Sequence, residues 1–237
     1  MLIMKITDFI EKELNGWRPI ELILLAIAIM LILHNLFLLH DNIIAVISAI
    51  CGILYTIIAG KGKISCYLFG ICGSGCYAWL AFQSLLYGNL ILYLGYYIPA
   101  QIYGFFSWKN NLKEVSNEII KAELSKRERI ILFFISLIGC FLTTVLLSYF
   151  HDTSPVMDGI TTFLSVIGMY LTVRRCIEQW VLWMFVNGLS LIMWIFRIIS
   201  GVRAYSTLVM WSVYFILAVY FFVMWRKEIY DNKKTVV

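Results

Sequence analysis

Two tryptophans and an asparagine share one helix face in the run WVLWMFVN. Trp180, Trp183 and Asn187 are spaced i, i+3 and i+7, which at about 100° per residue places all three on one side of a helix. An amide in an apolar environment needs a hydrogen-bond partner, and two indole rings beside it form a slot for a flat ring with polar edges. The alternatives are that Trp180 is an interfacial residue beside Arg175 and Glu178, and that the other two only pack against neighbouring helices.

A second polar face lies in the run YYIPAQIYGFFSW. Tyr97, Gln101, Gly104 and Trp108 are spaced i, i+4, i+7 and i+11, again on one face. Pro99 interrupts the backbone hydrogen bonds, which provides a hinge or an exposed carbonyl. Gln101 must bond either another helix or a ligand. Trp108 precedes a lysine, so its simplest interpretation is an anchor at the membrane interface.

The composition predicts a membrane protein. Of the 237 residues, 62% are hydrophobic and 14% are charged, whereas a soluble domain carries about 25% charged residues. The net charge of +5 is spread over short loops rather than gathered in one patch, which argues against nucleic acid as a partner. No catalytic motif, nucleotide loop or zinc-ligand spacing occurs, so we expect no catalytic residue, no metal and no cofactor. The six cysteines are interpreted as packing residues without a disulfide framework.

Eight apolar runs are long enough to cross a bilayer, since about 20 residues span the hydrocarbon core. The predicted spans are 20–40, 42–60, 64–86, 89–108, 130–150, 156–173, 180–200 and 207–225. The first run lacks a small-residue cleavage site behind it, so we expect it to remain as a helix. The sixth is short and opens with Ser154 and Pro155. The fold class is therefore an all-α integral membrane protein of eight transmembrane helices.

The basic residues predict the orientation of these spans. With a cytoplasmic N-terminus, 17 of the 19 lysines and arginines fall on the cytoplasmic side, and only Arg197 and Arg203 fall outside. The one long polar connection, 109–129, is predicted to be a solvated or interfacial linker on the cytoplasmic side. Both termini are therefore expected in the cytoplasm.

The two halves of the chain carry matching uncommon residues at a shift of 117 positions. The matched pairs are His34 with His151, Asp41 with Asp158, Ser48 with Ser165, Tyr97 with Tyr214, Tyr103 with Tyr220, Phe105 with Phe222, and Trp108 with Trp225. Each half holds four predicted spans, an even number, so the repeat is parallel. This arrangement is typical of transporters whose substrate site lies near the middle of the bilayer between the halves.

These features resemble the bacterial nicotinamide riboside transporters of the PnuC type. The resemblance is carried by the run YxxxQxxGxxxW at Tyr97–Trp108, the run WxxWxxxN at Trp180–Asn187, the parallel halves and the basic linker, and it covers essentially the whole chain. It implies a SWEET-like core of three helices, a linking helix and three more, preceded by an extra helix. The implied parts are 1–108 for the first half, 109–129 for the linker, 130–150 for the linking helix, and 151–237 for the second repeat with a basic cytoplasmic tail.

The same resemblance implies a function in the bacterial cytoplasmic (inner) membrane. It implies facilitated, uncoupled uptake of nicotinamide riboside, an NAD precursor, which cytoplasmic phosphorylation then traps. The implied substrate-binding residues are Tyr97, Gln101, Trp180, Trp183, Asn187 and Tyr214. The implied partners are this small molecule, the lipid bilayer and further copies of the chain in a homo-oligomer, with a trimer as one form.

The chemistry of the substrate agrees with the residue types. Nicotinamide riboside has a flat cationic ring, which suits aromatic faces, and its carboxamide and hydroxyls need partners such as Gln101, Asn187 and Tyr97. The spans contain almost no acidic residues, which argues against ion coupling. Two alternatives remain open. One is a carrier of the same fold for thiamine, also a flat cation, or for another nucleoside, and the other is a membrane receptor or scaffold without flux.

Overall fold

The protein is an assembly of eight helices in the part of the chain that the computed structural model describes, residues 17–39, 42–83, 87–113, 118–150, 154–200 and 205–235. They are α1 (Pro19–Leu39), α2 (Ile43–Gly60), α3 (Cys66–Gln83), α4 (Tyr87–Leu92, then Tyr93–Tyr97 and Ile98–Lys109), α5 (Lys126–Tyr149), α6 (Pro155–Val173), α7 (Glu178–Ile199) and α8 (Tyr205–Thr235). The prediction of an all-α protein with eight helices is confirmed.

Five of these helices are long and apolar enough to cross a membrane within the described residues, namely α2, α5, α6, α7 and α8. The short sixth predicted span, 156–173, is among them as α6. Pro155 does not prevent this helix from forming, because the backbone N–H that proline lacks is not used in the first turn of a helix. Helix α3 is less apolar because it contains Gly, Ser, Tyr and Gln residues, and α4 is divided into shorter pieces. On α5 the bulky apolar side chains point outward, as expected of a helix that faces lipid.

The chain forms two compact units, Met1–Ile120 and Lys121–Val237. In the first unit α1 packs on α2, α2 on α3, and α3 on α4. In the second unit α5 packs on α6, α6 on α7, and α7 on α8. Each unit is therefore a set of four helices that pack in chain order.

The turn between the second and third helices has the same backbone geometry in both units. It contains a residue with positive φ, Gly62 (74°) in the first unit and Arg175 (61°) in the second. Each of these donates its N–H to the carbonyl three residues earlier at 2.9 Å, and the next N–H bonds the carbonyl five residues earlier at 3.1 and 3.0 Å, respectively. This pair of bonds is a Schellman motif, which ends a helix by satisfying its last carbonyls. The two turns therefore place Gly62 in register with Arg175.

The turn residues Gly62 and Arg175 lie four positions closer together than the predicted shift of 117. Trp108 and Trp225, a pair at the predicted shift, are both fully buried. A single ungapped shift is therefore wrong for the earlier helices, and the predicted pair of Ser48 with Ser165 does not follow the register of the turns. The predicted pairs that contain Asp41 or His151 lie outside the described residues.

The linker is less solvated than its charges predict. Ile119 is fully buried, and its N–H donates to the carbonyl of Gly62 at 2.8 Å. In the second unit the Ala122 N–H donates to the carbonyl of Arg175 at 2.9 Å, and Leu124 is buried in an apolar cluster. The carbonyl oxygens of Gly62 and Arg175 thus each accept a hydrogen bond from the linker. These bonds hold this part of the linker out of water.

Two helix ends differ from the predicted bounds. Helix α5 begins at Lys126 rather than at 130 because Ser125 and Glu128 form a capping box, with bonds of 3.2 and 2.8 Å between side chain and backbone N–H. Helix α8 continues to Thr235 rather than ending at 225, so the predicted basic tail is largely helical. Its polar extension is held by ion pairs between Lys121 and Glu228 and, at 2.5 Å, between Lys233 and Glu123.

Candidate functional site

One turn of π-helix lies at the start of the polar face on α4. The segment Tyr93–Tyr97 has π geometry, and the N–H of Ile98 bonds the carbonyl of Tyr93, five residues earlier. Pro99 has no N–H and its ring crowds the preceding turn, so the backbone widens at this point instead of continuing as a regular α-helix. The predicted interruption at Pro99 is therefore present, and it determines where the side chains of Tyr97 and Gln101 lie.

Gln101 is a buried amide with one half bonded. It is 3% exposed, and its Nε2 donates to Ser74 Oγ on α3 at 3.0 Å. Its Oε1 is also buried, and this oxygen accepts no hydrogen bond from the residues that the structure describes. A buried acceptor without a donor costs about 1–3 kcal/mol, so a ligand that donates a hydrogen bond there is favoured.

Several aromatic rings lie on the helices of the first unit that carry this amide and its neighbours. Tyr97 is buried, and its ring centroid lies 4.9 Å from that of Tyr93, which lies 4.4 Å from that of Tyr77. On the other side, a Cβ added to Gly70 would lie 2.8 Å from the ring of Tyr55 and 3.1 Å from Oε1 of Gln101. The absence of a side chain at Gly70 thus lets the Tyr55 ring approach both α3 and the amide oxygen.

In the second unit, Trp183 lies flat on a glycine. A Cβ added to Gly168 of α6 would lie 3.2 Å from the Trp183 ring. The Nε1 of Trp183 donates to Thr172 Oγ1 at 3.4 Å, and Thr172 Oγ1 in turn donates to the carbonyl of Gly168 at 2.9 Å. The ring is half-buried, so it is held in place and still keeps accessible surface.

Asn187 lies one helical turn beyond Trp183, as the spacing predicts. It is 6% exposed, and its side chain makes no hydrogen bond with the described residues. Tyr214 on α8 is half-buried, with its ring 6.0 Å from that of Trp211. The Nε1 of Trp211 is a buried donor without an acceptor among the described residues. This unit therefore offers an amide, an indole N–H and a phenol for polar contacts.

Trp180 occupies a different environment from Trp183. It is buried, and its ring packs at 5.3 Å from Phe221 and at 5.7 Å from Trp225. In the first unit Trp108 packs in the same manner at 5.0 Å from Tyr67. The interpretation of Trp180 and Trp108 as anchors at the membrane interface is wrong, because their rings, like that of Trp225, are covered by other residues of the same unit.

The charged groups near these helices lie at the helix ends. A hydrogen bond from Arg174 to Glu128, 2.9 Å long, raises the pKa of that guanidinium, so it stays charged. Burial raises the pKa of the neighbouring Cys176 thiol to about 11, so the thiol stays protonated at neutral pH. No group of metal-ligating side chains occurs in the described part of the chain. The described helices thus offer amides, hydroxyls and aromatic rings, rather than charged groups, for contacts with a ligand.

Sequence reasoning missed two residues next to Gln101. Ser74 lies among glycines and cysteines in α3, a pattern that indicates close helix packing rather than a polar contact. Tyr55 lies in an apolar run of α2 that has no polar periodicity, so no pattern distinguished it. Of the predicted residues, Tyr97 and Gln101 lie together on α4, Trp183 and Asn187 lie together on α7, and Tyr214 lies on α8.

Comparison with known proteins shows which group of proteins has this arrangement. The model of the nicotinamide mononucleotide transporter family matches residues 42–227, from the start of α2 into α8. The chain belongs to this family. The protein is therefore a multi-pass membrane transporter and not an enzyme, as predicted. The match leaves out α1 and the end of the α8 extension.

Several relatives are similar over most of their length. The chain is 30% identical to the nicotinamide riboside transporter PnuC of Neisseria mucosa over 237 residues, 95% of this chain and 88% of that protein. It is 30% identical to PnuC of Haemophilus influenzae over 92% of this chain and 94% of that protein. A crystal structure described as the vitamin B3 transporter PnuC matches with a TM-score of 0.78 and 30% identity, covering 92% of this chain and 95% of that one.

Proposed function

We propose that this protein carries nicotinamide riboside across the bacterial cytoplasmic membrane into the cell. The observation that carries the proposal is the buried Oε1 of Gln101, an acceptor beside aromatic rings that no described residue satisfies. The carboxamide and the ribose hydroxyls of nicotinamide riboside are donors of the required kind. The relatives that are 30% identical over most of the chain bear this substrate in their names, which supports the same conclusion.

The proposed transport is facilitated diffusion. The described helices place no cluster of carboxylates or histidines in their interior that would bind a coupling ion. A cation gains about 2.3 kcal/mol per 100 mV when it moves into a cell with a negative interior, so inward movement needs no second ion. Phosphorylation of the nucleoside in the cytoplasm then keeps its concentration there low.

The proposed site uses the predicted residues in two ways. In the first unit Gln101 is the proposed partner for the polar edges of the substrate and Tyr97 is the proposed contact for its ring. In the second unit Asn187 and Tyr214 are the proposed polar partners and Trp183 is the proposed ring contact. Trp180 supports the site from one helical turn away, because Phe221 and Trp225 cover its ring. Aromatic faces suit a pyridinium ring because their negative faces attract a delocalised cation.

We further propose that α2–α4 and α6–α8 are two repeats, that α5 links them, and that α1 is an additional helix. The shared Schellman turns at Gly62 and Arg175 support the repeat, and the family match that starts at residue 42 supports the separate status of α1. Helix α5 exposes most of its apolar side chains, as expected of a linking helix at the lipid boundary. A homo-oligomer, with a trimer as one form, stays a prediction.

The topology is tested by reporter fusions. Fusions after Asn111 and after Val237 should both report a cytoplasmic position, and a fusion near Thr153 should report the outside, because 17 of 19 basic residues then lie inside. Opposite locations for Asn111 and Val237 would contradict a parallel repeat.

The substrate is tested by titrating purified protein with a panel of nicotinamide riboside, thiamine and uncharged nucleosides. Nicotinamide riboside should quench tryptophan emission at the lowest concentration, because the Trp183 ring keeps accessible surface next to Asn187. Quenching by thiamine at lower concentration would identify a thiamine carrier of the same fold. Binding without uptake into proteoliposomes would indicate a receptor instead of a transporter.

A further inference from the structure

The two units place an aromatic ring against a glycine at corresponding positions, but from opposite helices. In the register of the Schellman turns, which aligns Gly62 with Arg175, Tyr55 of α2 corresponds to Gly168 of α6, and Gly70 of α3 corresponds to Trp183 of α7. A Cβ at Gly70 would lie 2.8 Å from the Tyr55 ring, and a Cβ at Gly168 would lie 3.2 Å from the Trp183 ring. In the first unit the ring comes from α2 and the glycine from α3. In the second unit the ring comes from α7 and the glycine from α6.

The buried amide shows the same exchange of helices. In the register of the Schellman turns, Asn187 on α7 corresponds to Ser74 on α3. In the register that aligns the paired tryptophans near the end of each unit, Gln101 on α4 corresponds to Ala218 on α8. Each unit therefore has a buried amide and a ring that lies against a glycine. In the first unit the amide is on α4 and the ring is on α2, whereas the corresponding residues of the second unit, Ala218 and Gly168, are small.

We infer that Tyr55 is a substrate-contacting residue, the counterpart of Trp183, and that it contacts the flat cationic ring. This inference rests on the proposed function. The Tyr55 ring and Oε1 of Gln101 both approach the same point above Gly70, at 2.8 and 3.1 Å, so the ring lies beside the buried acceptor. The Tyr55 side chain is half-buried, which leaves part of it accessible. Its neighbour Tyr67 meets it edge-on with centroids 6.3 Å apart, and this contact fixes the orientation of the ring.

The first test is Tyr55→Leu, with Tyr55→Phe as the conservative variant. Loss of a cation–π contact should weaken the binding of nicotinamide riboside roughly 2- to 30-fold by calorimetric titration, whereas phenylalanine should preserve most of the affinity. Tyr103→Leu is the matched control, since that side chain is 69% exposed, and it should leave affinity unchanged. A folded Tyr55→Leu protein with unchanged affinity overturns the inference.

The second test moves the arrangement of the second unit into the first. Gly70→Trp alone should destabilise the protein, because even a Cβ there lies 2.8 Å from the Tyr55 ring. The double variant Tyr55→Gly with Gly70→Trp removes that clash and returns a ring to the gap, so it should bind more tightly than Tyr55→Gly alone. Equal affinities of the folded double and single variants would show that the ring does not contact the ligand. Failure of the wild-type protein to bind nicotinamide riboside would instead contradict the proposed function.

Discussion

Replacing Gln101 by leucine should leave the protein folded and weaken the binding of nicotinamide riboside roughly 5- to 150-fold. The substitution removes the only buried oxygen on α4 that lacks a donor among the described residues. A donor group of the ligand would then be buried without a partner, at a cost of about 1–3 kcal/mol. The other partner, Ser74, loses only its bond from Nε2, and a serine in a helix readily bonds a carbonyl of its own preceding turn.

The matched control for this substitution is Gln179→Leu. Gln179 is 1% exposed, and its Nε2 also lacks a partner among the described residues, but it lies at the start of α7 beside the Schellman turn. This variant should bind with unchanged affinity. Asn187→Leu should behave like Gln101→Leu. If either leucine variant melts at lower temperature but its folded fraction binds normally, that amide is a structural bridge and does not belong to the site.

Replacing Gly159 by alanine should destabilise the second unit by about 1–3 kcal/mol, visible as a lower melting temperature in detergent. A Cβ at Gly159 would lie 2.7 Å from the backbone nitrogen and 2.8 Å from the Cα of Thr144 on α5. Backbone atoms cannot rotate away, so α5 and α6 must separate. Separation would also break the bond from Thr143 Oγ1 to the carbonyl of Gly159, now 2.9 Å long.

Gly75→Ala on α3 is the control for this effect. No atom lies within 4 Å of an added Cβ at Gly75, so alanine there should be neutral or slightly stabilising through its higher helix propensity. Gly139→Ala should resemble Gly159→Ala, because its Cβ would overlap the Phe163 ring at 1.9 Å. Equal melting temperatures for the Gly159 and Gly75 variants would show that α5 and α6 do not depend on this close approach.

The helices could be predicted from the sequence because the bilayer imposes a strong constraint. Every backbone group in hydrocarbon must bond within its own segment, so each long apolar run becomes a helix regardless of its neighbours. The predicted span 42–60 and the observed helix Ile43–Gly60 differ by one residue for this reason. Where water begins, this constraint ends, and α5 and α8 continue beyond their predicted apolar spans because a cap and ion pairs determine how far they extend.

Helix periodicity also determined part of the candidate site. Spacing alone placed Trp183 with Asn187 and Tyr97 with Gln101, because residues three, four or seven apart share a face. Spacing could not separate Trp180 from Trp183, although only the first is covered by Phe221 and Trp225. Which residue on a shared face is covered depends on the neighbouring helix, and the sequence of one helix does not contain that information.

Only the tertiary structure showed which further residues lie beside the predicted ones. Tyr55 lies in an unbroken apolar run, and its position beside Gln101 depends on a glycine later in the chain, Gly70, that admits its ring. The register that aligns Gly62 with Arg175 likewise required the two Schellman turns, since an ungapped comparison at a shift of 117 does not align these two residues. The hydrophobic pattern of a helix predicts which face is buried, but it does not specify which side chain of the neighbouring helix covers that face. An aromatic ring and a glycine can therefore exchange positions between two packed helices while the hydrophobic pattern of each helix stays the same.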